Sequence, residues 1–185
     1  PLVPVSTWLG DLAQQSALAS AWPARVIPNV MDTNTFSPQD RADARAKLGL
    51  PHTSPLVVFI ASAGIDDHRK GWDLLAAAMG VVTQQFPEAG VIVIGPVTDE
   101  QRSRDFGFAV HWIGEVLDNS IIRIAIAAAD VSAVPSRADN LPLTALEAQS
   151  CGRATVAFET GGLPDIVSHQ VSGFLAPAFD TDAYG

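Results

Sequence analysis

The densest chemistry in the chain lies in Ala129-Asp-Val-Ser-Ala-Val-Pro-Ser-Arg-Ala-Asp-Asn-Leu-Pro-Leu-Thr-Ala-Leu-Glu-Ala-Gln-Ser-Cys-Gly152. An apolar run stops at Pro135-Ser136, a polar loop follows, and a helical pattern begins near Pro142. Proline suits a first helical turn because its missing N–H would have no helical partner there. The free N–H groups of that turn, backed by the positive end of the helix dipole, form an anion site. Asp139 in the loop and Glu147 in the helix are eight positions apart. Carboxylates so placed can accept hydrogen bonds from sugar or ribose hydroxyls. The same residues also fit plainer roles, Asp139 or Asn140 as a helix N-cap and Glu147 as a solvated or capping group. Spacing alone leaves both readings open.

Other reactive side chains carry weaker signals. His111 falls inside a β-type run and is expected to be structural, whereas His52 and His169 are expected at the surface. His68 stands beside Arg69-Lys70, within reach of a ligand bound there. Asp180-Thr-Asp182 has the spacing of an Asp-x-Asp metal motif but is expected to cap a helix, and Asp66-Asp67 to cap or line a loop. Cys151, next to Gly152 at a helix end, is expected to be buried and inert. No Ser-His-Asp pattern, zinc-ligand spacing, Walker loop or Gly-x-Gly-x-x-Gly fingerprint is present.

These residues need elements to hold them. Pro55–Ala61, Val91–Gly95, Ala109–Ile113, Val131–Pro135 and Ala154–Phe158 read as strands, several of them nearly continuously apolar, as in a sheet covered on both faces. Helical patterns fall between them, from Trp72 to Phe86, about Thr98 to Phe106, Asn119 to Ala129, and Leu143 to Ser150. A short helix from Gly161 and a short strand at Gly173–Ala176 end the series. Strand–helix alternation with short connections predicts an α/β fold with a doubly wound, Rossmann-like parallel sheet. Ligands of such sheets bind at the carboxyl ends of the strands. The first fifty residues stand outside this alternation. Val3–Ser6 reads as a strand, Trp8–Ala19 as a helix, and Asp32–Asp43 as a polar connection.

With 185 residues, 48% apolar and 17% charged, the chain has material for one buried sheet. The longest apolar runs are too short to span a bilayer. A net charge of −9 argues against a nucleic-acid partner and against adhesion of this part to anionic lipid. An anionic ligand must then be met locally, by a few cations and oriented N–H groups. One cysteine permits no internal disulfide, and no basic-then-apolar leader opens the chain, so a cytoplasmic setting is expected.

The segment from Pro135 to Gly152 resembles the signature of the family-4 (group 1) glycosyltransferases, Pro-Ser…Glu-x7-Glu-Ala…Gly. Val26-Ile-Pro-Asn-Val-Met-Asp…Phe36-Ser-Pro, Arg69-Lys-Gly-Trp-Asp-Leu-Leu, Gly161-Gly-Leu-Pro-Asp-Ile-Val and Gly173-Phe-Leu continue that family's pattern in order. The variant Asp-Asn-Leu-Pro is similar to colanic-acid-type members that build bacterial surface polysaccharides. The resemblance implies the C-terminal, donor-binding half of a two-domain GT-B enzyme. Residues 1–25 would then be the tail of an N-terminal acceptor domain plus linker, and residues 26–185 a nucleotide-sugar-binding domain truncated at its C-terminus.

It also implies a chemistry. A sugar passes from a nucleoside diphosphate sugar to an acceptor hydroxyl with retention of anomeric configuration, in polysaccharide or glycolipid synthesis, without metal or cofactor. Glu147 matches the glutamate that holds the ribose. Asp139 stands, one methylene short, where a glutamate holds the sugar. Backbone N–H groups of Asn140, Leu141, Leu143 and Thr144 would meet the diphosphate and sugar, and Ile113-Gly114 the base. Lys70 matches the lysine that neutralises the diphosphate. Gly64 occupies the place of a family arginine, so Arg69 is expected to supply the missing charge. The resemblance places a catalytic histidine and the glycan or lipid-linked acceptor in the other half. That leaves the fragment inactive by itself, and allows the whole protein to sit peripherally on the inner face of a membrane. A non-catalytic nucleotide-sugar-binding relative is the alternative.

Overall fold

A computed structural model describes all residues from Pro1 to Gly185. Its centre is a six-stranded sheet in the order β3-β2-β1-β4-β5-β6, with every pair parallel. The strands are β1 (Leu56–Ile60), β2 (Gly90–Ile94), β3 (Ala109–Gly114), β4 (Val131–Val134), β5 (Ala154–Phe158) and β6 (Gly173–Ala176). Winding runs outward from β1 through β2 to β3, then returns to β4 and runs outward the other way. The switch point therefore lies between β1 and β4, and the crevice above their carboxyl ends is where such sheets hold ligands.

Alternate side chains of the central strands enter two different cores, which explains their unbroken apolar sequence. Val58 and Ile92 face one layer with α2 (Arg41–Leu48), α5 (Asn119–Ala128) and the Ala148 side of α6 (Leu143–Ser150). Phe59, Val91 and Val93 face the other, with α3 (Trp72–Gln85) and α7 (Thr181–Tyr184). Trp72 is the hub of that second core, its ring centroid 5.4 Å from Phe59 and 5.2 Å from Phe106. It opens α3 just after the Arg69-Lys70 turn, so aromatic packing anchors the loop that carries the lysine. Cys151 is buried in the first core, and burial pushes its thiol up to about 11, so it stays protonated and inert.

Helix starts follow their expected caps. Asp118 caps α5, Thr98 and Gln101 form a capping box on α4 (Asp99–Ser103), and Asp180 caps α7 through the Ala183 N–H. Asp180 is thus the cap its sequence position suggested.

The N-terminal region departs from expectation. Val3–Ser6 joins no sheet; the chain from Leu2 to Pro4 instead pairs with Pro23–Ile27 through an isolated bridge at Leu2–Ala24 and three backbone hydrogen bonds. Helix α1 is shorter than its pattern, Thr7–Gln15, with turns after Ser16. Helix α2 begins at Arg41, inside the segment read as a polar connection, and runs beyond it to Leu48. No helix is long and apolar enough to cross a membrane.

Candidate functional site

The loops after β1 and β4 meet at the switch point. The Lys70 ammonium donates to Asp139 Oδ2 at 2.6 Å, across 69 positions of sequence. Their side chains are 19% and 17% exposed, a solvent-edged pair rather than a sealed one. Lys70 ends a 3₁₀ turn, His68–Lys70, capped by Asp67. Gly71 follows in a left-handed conformation, and a Cβ there would lie 2.1 Å from the Pro135 carbonyl oxygen. Glycine lets the two loops touch backbone to backbone, which sets Lys70 against Asp139.

Arg137 fastens the same two loops from within. Its guanidinium forks onto the Asp73 carboxylate at 2.8 and 2.6 Å and also donates to the His68 carbonyl, while its backbone N–H reaches the Arg69 carbonyl. The paired guanidinium holds the Asp73 carboxyl below the ordinary carboxylate range. Sequence reasoning missed this role. Arg137 was visible two positions before Asp139, but nothing in the sequence points to Asp73 as its partner.

Above the β4 end the helix start is open. Pro142 occupies the N-cap position of α6 without a side-chain cap. The amides of Asn140, Leu141, Leu143 and Thr144 donate to no protein acceptor. Unpaired donors at a helix N-terminus, beside an ammonium, form an anion cradle. Glu147 is half-buried, with neither a hydrogen bond nor an ion pair, and burial pushes its carboxyl above the usual range. A desolvated, unpartnered carboxylate is costly to the fold unless something else donates to it. Neither Asp139 nor Asn140 caps α6, so the plainer reading of those two residues does not hold.

The remaining candidates lie along the same edge of the sheet. Gly114 ends β3 with φ +89°, and its carbonyl accepts from the Gly95 N–H. Ile113 beside it packs into the first core. Gly64 follows β1 with φ +84°, and a Cβ there would lie 2.9 Å from the Pro96 carbonyl oxygen. A side chain at 64 would be strained on both counts, so this loop is shaped for glycine rather than for arginine. Arg69 pairs with Asp67 at 2.8 Å and is 66% exposed, so its charge is directed to the loop's own cap and not to Asp139. His68 is exposed and its carbonyl serves Arg137. His111 is partly buried with Nε2 unpartnered, in keeping with a neutral, structural ring.

On the β5 side, Gly161 and Gly162 run against the loop. Cβ atoms there would fall 2.2 Å from the Asp139 carbonyl oxygen and 1.8 Å from that of Asn140, and the Gly162 N–H donates to Asp139. The two glycines are the price of bringing this backbone under the Asp139-Asn140 loop. By contrast, an apolar hollow of about 330 Å³ between α3 and the amino ends of β1 and β4 lies at the opposite edge of the sheet. No group of three or more His, Cys, Asp or Glu side chains is close enough to hold a metal ion.

A crevice of this kind, at the switch point of a parallel sheet with unpaired amides and a desolvated carboxylate beside an ammonium, is the place where sheets of this topology hold ligands. Comparison with known proteins gives the class. Residues 54–185 match the family model described as glycosyl transferases group 1, and the chain belongs to that family. It is 36% identical over 163 residues to a D-inositol 3-phosphate glycosyltransferase of Segniliparus rotundus, covering 83% of this chain and 36% of that protein. A protein of the same name from Mycobacteroides abscessus is 31% identical, covering 91% and 39%. The chain thus spans well under half the length of these curated relatives, whose names differ from the colanic-acid-type members suggested by Asp-Asn-Leu-Pro. Among solved structures, sucrose-phosphate synthase from Thermosynechococcus elongatus superposes with a TM-score of 0.82 at 28% identity, covering 98% of this chain and 46% of that one. Anabaena HepE in complex with UDP gives 0.76 at 22% identity, covering 98% and 50%, which bears on the fold.

Proposed function

We propose that this chain is the donor half of a retaining glycosyltransferase and binds a nucleoside diphosphate sugar at the carboxyl ends of β1 and β4. One observation carries the reading. Lys70 and Asp139 pair across the switch point, beside free α6 amides and an unpartnered Glu147. In the proposed complex Glu147 accepts from the ribose hydroxyls, and Asp139 from the sugar. The diphosphate lies against Lys70 and the amides of Asn140, Leu141, Leu143 and Thr144, and the base lies along Ile113-Gly114. Charge develops on the diphosphate as the glycosidic bond breaks. An ammonium and fixed N–H dipoles in a partly dry crevice stabilise that charge without a metal or cofactor. The UDP named with Anabaena HepE makes UDP the first nucleotide to test.

The acceptor is a hydroxyl on a partner bound by another part of the protein, either a surface glycan or lipid-linked chain or the polyol phosphate that the relatives' names indicate. In this reading residues 1–25 belong to the acceptor half, residues 26–185 to the donor domain, and the chain alone does not turn over. Seven of the fourteen exposed large apolar residues lie in the first thirty positions, Leu18 and Trp22 among them, which supports a covering domain there. A cytoplasmic enzyme, peripheral to the membrane only through that other half, fits a chain with net charge −9.

The test is a calorimetric titration with UDP, GDP, ADP and NAD. Selective binding of one nucleoside diphosphate, with Kd on the order of tens of micromolar to millimolar for a half-site, and its loss in Glu147→Ala, is the expected result. Binding of none, or of NAD alone, overturns the reading. Gly64 favours a second reading, a nucleotide-sugar binder without turnover, since its backbone leaves no room for the family arginine. Sugar transfer by the full-length protein eliminates that alternative.

A further inference from the structure

The Asp139-Asn140 loop has few restraints. Arg137 holds its start, Lys70 and the Gly162 N–H hold Asp139 by its carboxylate and its carbonyl, and one side-chain bond, at Asn140, fixes its end before α6. That bond comes from Ser6, whose hydroxyl donates to Asn140 Oδ1 at 2.8 Å across 134 positions. Ser6 is fully buried. The same hydroxyl caps α1 by accepting from the Leu9 N–H, and the next residue, Thr7, donates its N–H to Asp165 Oδ2 at 2.5 Å. The first turn of α1 therefore grips both sides of a tight backbone crossing, Asn140 on the donor loop and Asp165 just beyond the glycine pair. Gly162 lies between them. A Cβ there would lie 2.9 Å from the Ser6 Cβ as well as against Asn140.

Ser6 lies well outside residues 54–185, which match the family. The position it fixes is that of the amides meant for the diphosphate. We infer that Ser6 is a positioning residue of the donor site, a latch by which the N-terminal segment sets the Asn140–Thr144 amides for a diphosphate. This rests on the donor reading above. It also means that displacement of α1 loosens the cradle, so that movement of the N-terminal segment is felt by the bound nucleotide.

Substitution separates the latch from the cap. Glycine serves an N-cap nearly as well as serine, whereas alanine does not. Ser6→Gly therefore keeps α1 and loses the bond to Asn140, and Ser6→Ala loses both. For the 185-residue chain, UDP affinity measured by calorimetry should fall roughly five- to tenfold in both variants, the loss expected for one buried hydrogen bond. UMP, which lacks the second phosphate, should bind within about twofold of the unsubstituted chain, and Ser6→Ala, which loses the cap as well as the bond, should lower Tm further than Ser6→Gly does. In an Asn140→Ala background Ser6→Gly should cost nothing further. Equal losses for UDP and UMP, or a UDP loss confined to Ser6→Ala, overturn the latch and leave Ser6 a helix cap. If the unsubstituted chain binds no nucleotide, the donor reading fails, and amide hydrogen exchange judges the latch separately. Faster exchange at 140–144 in Ser6→Gly, with Leu9 and Gly10 unchanged, supports it, and unchanged exchange throughout overturns it.

Discussion

The two ends of the central strands handle buried charge in opposite ways. At the amino ends Arg45 is 1% exposed, and each of its three side-chain nitrogens has an acceptor. Nε binds the Ala128 carbonyl, one terminal nitrogen the carbonyls of Pro51, His52 and Ser54, and the other Asp130. Asp130 in turn accepts from the Leu56 N–H and pairs with Arg41. At the carboxyl ends Glu147 is desolvated with no donor, and four amides beside it have no acceptor. The first arrangement is closed: it ties α2 and two strand starts together and has nothing left to offer a ligand. The second is open, and its unmet bonds match a polyhydroxylated, phosphorylated ligand. A buried charge marks a site when its hydrogen-bonding capacity is unspent.

The largest expected effect tests the closed end. Arg45→Met strips donors from four carbonyls and leaves Asp130 with Arg41 and the Leu56 N–H, and should cost about 3–5 kcal/mol in urea unfolding. UDP affinity of the folded chain should not change. A loss of affinity as large as the loss of stability would erase the distinction between the ends. Next comes Glu147→Gln, which removes the buried charge and its ability to accept charge-assisted bonds. Nucleotide affinity should fall by about 1.5–3 kcal/mol, measured by calorimetry. Tm should hold or rise, because the fold no longer carries an uncompensated carboxylate. A Tm drop there would make Glu147 a structural residue like Arg45.

Arg137 lies between these extremes, structural in its contacts but placed at the site. Arg137→Lys keeps the charge and loses the fork onto Asp73. The pair is partly exposed, so stability should change by no more than about 1 kcal/mol in thermal unfolding. Because the fork sets Lys70 against Asp139, UDP affinity should drop more than stability does. Asp73→Asn should reproduce the effect, and the double variant should be no worse than either single one. Additive losses would mean that Arg137 touches the ligand directly instead of bracing the loops.

The open end was far more legible in the sequence than the closed one. Asp139, Glu147, the proline at the helix start and the Gly161-Gly162 pair are local signals, and local geometry puts them to use. Lys70 could be placed only by resemblance, and its 2.6 Å contact with Asp139 depends on sheet order. Helix α2, whose start falls in the segment read as a polar connection, has no helical signal in that reading because the residue it buries most deeply is an arginine, so no apolar stripe marks it. Asp40 and Gly49, its cap and its left-handed stop, were the signals present. The partnerships of Arg137 with Asp73 and Ser6 with Asn140 span 64 and 134 positions. They follow from where loops meet above a sheet, which periodicity does not encode. The β-type segment Val3–Ser6 stands outside the sheet, the chain from Leu2 to Pro4 pairing only with Pro23–Ile27.

The smallest effect is in pH dependence, and it sharpens the contrast because the two unpartnered groups have opposite signs. Burial lifts the Glu147 carboxyl above the ordinary glutamate value of 4.5. Its contribution to stability is present below that value and is lost as pH rises through the folded-state value, so Glu147 works against the fold at neutral pH. Burial depresses His111 below 6.5, so its contribution is present above 6.5 and is lost as pH falls through the folded-state value. Either slope is bounded by about 1.4 kcal/mol per pH unit for a single proton. Urea unfolding across this range should show Glu147→Gln removing the loss of stability on the rise from pH 4.5. His111→Leu should remove only the loss on the fall from 6.5. UDP adds a second reading, since ribose hydroxyls donating to Glu147 favour its charged form. Nucleotide affinity should therefore weaken as pH falls toward the raised Glu147 value, and Glu147→Gln should abolish that dependence while leaving the His111 slope in place. An affinity that weakens with acid equally in Glu147→Gln would locate the titrating group elsewhere and separate the desolvated carboxylate from the ligand.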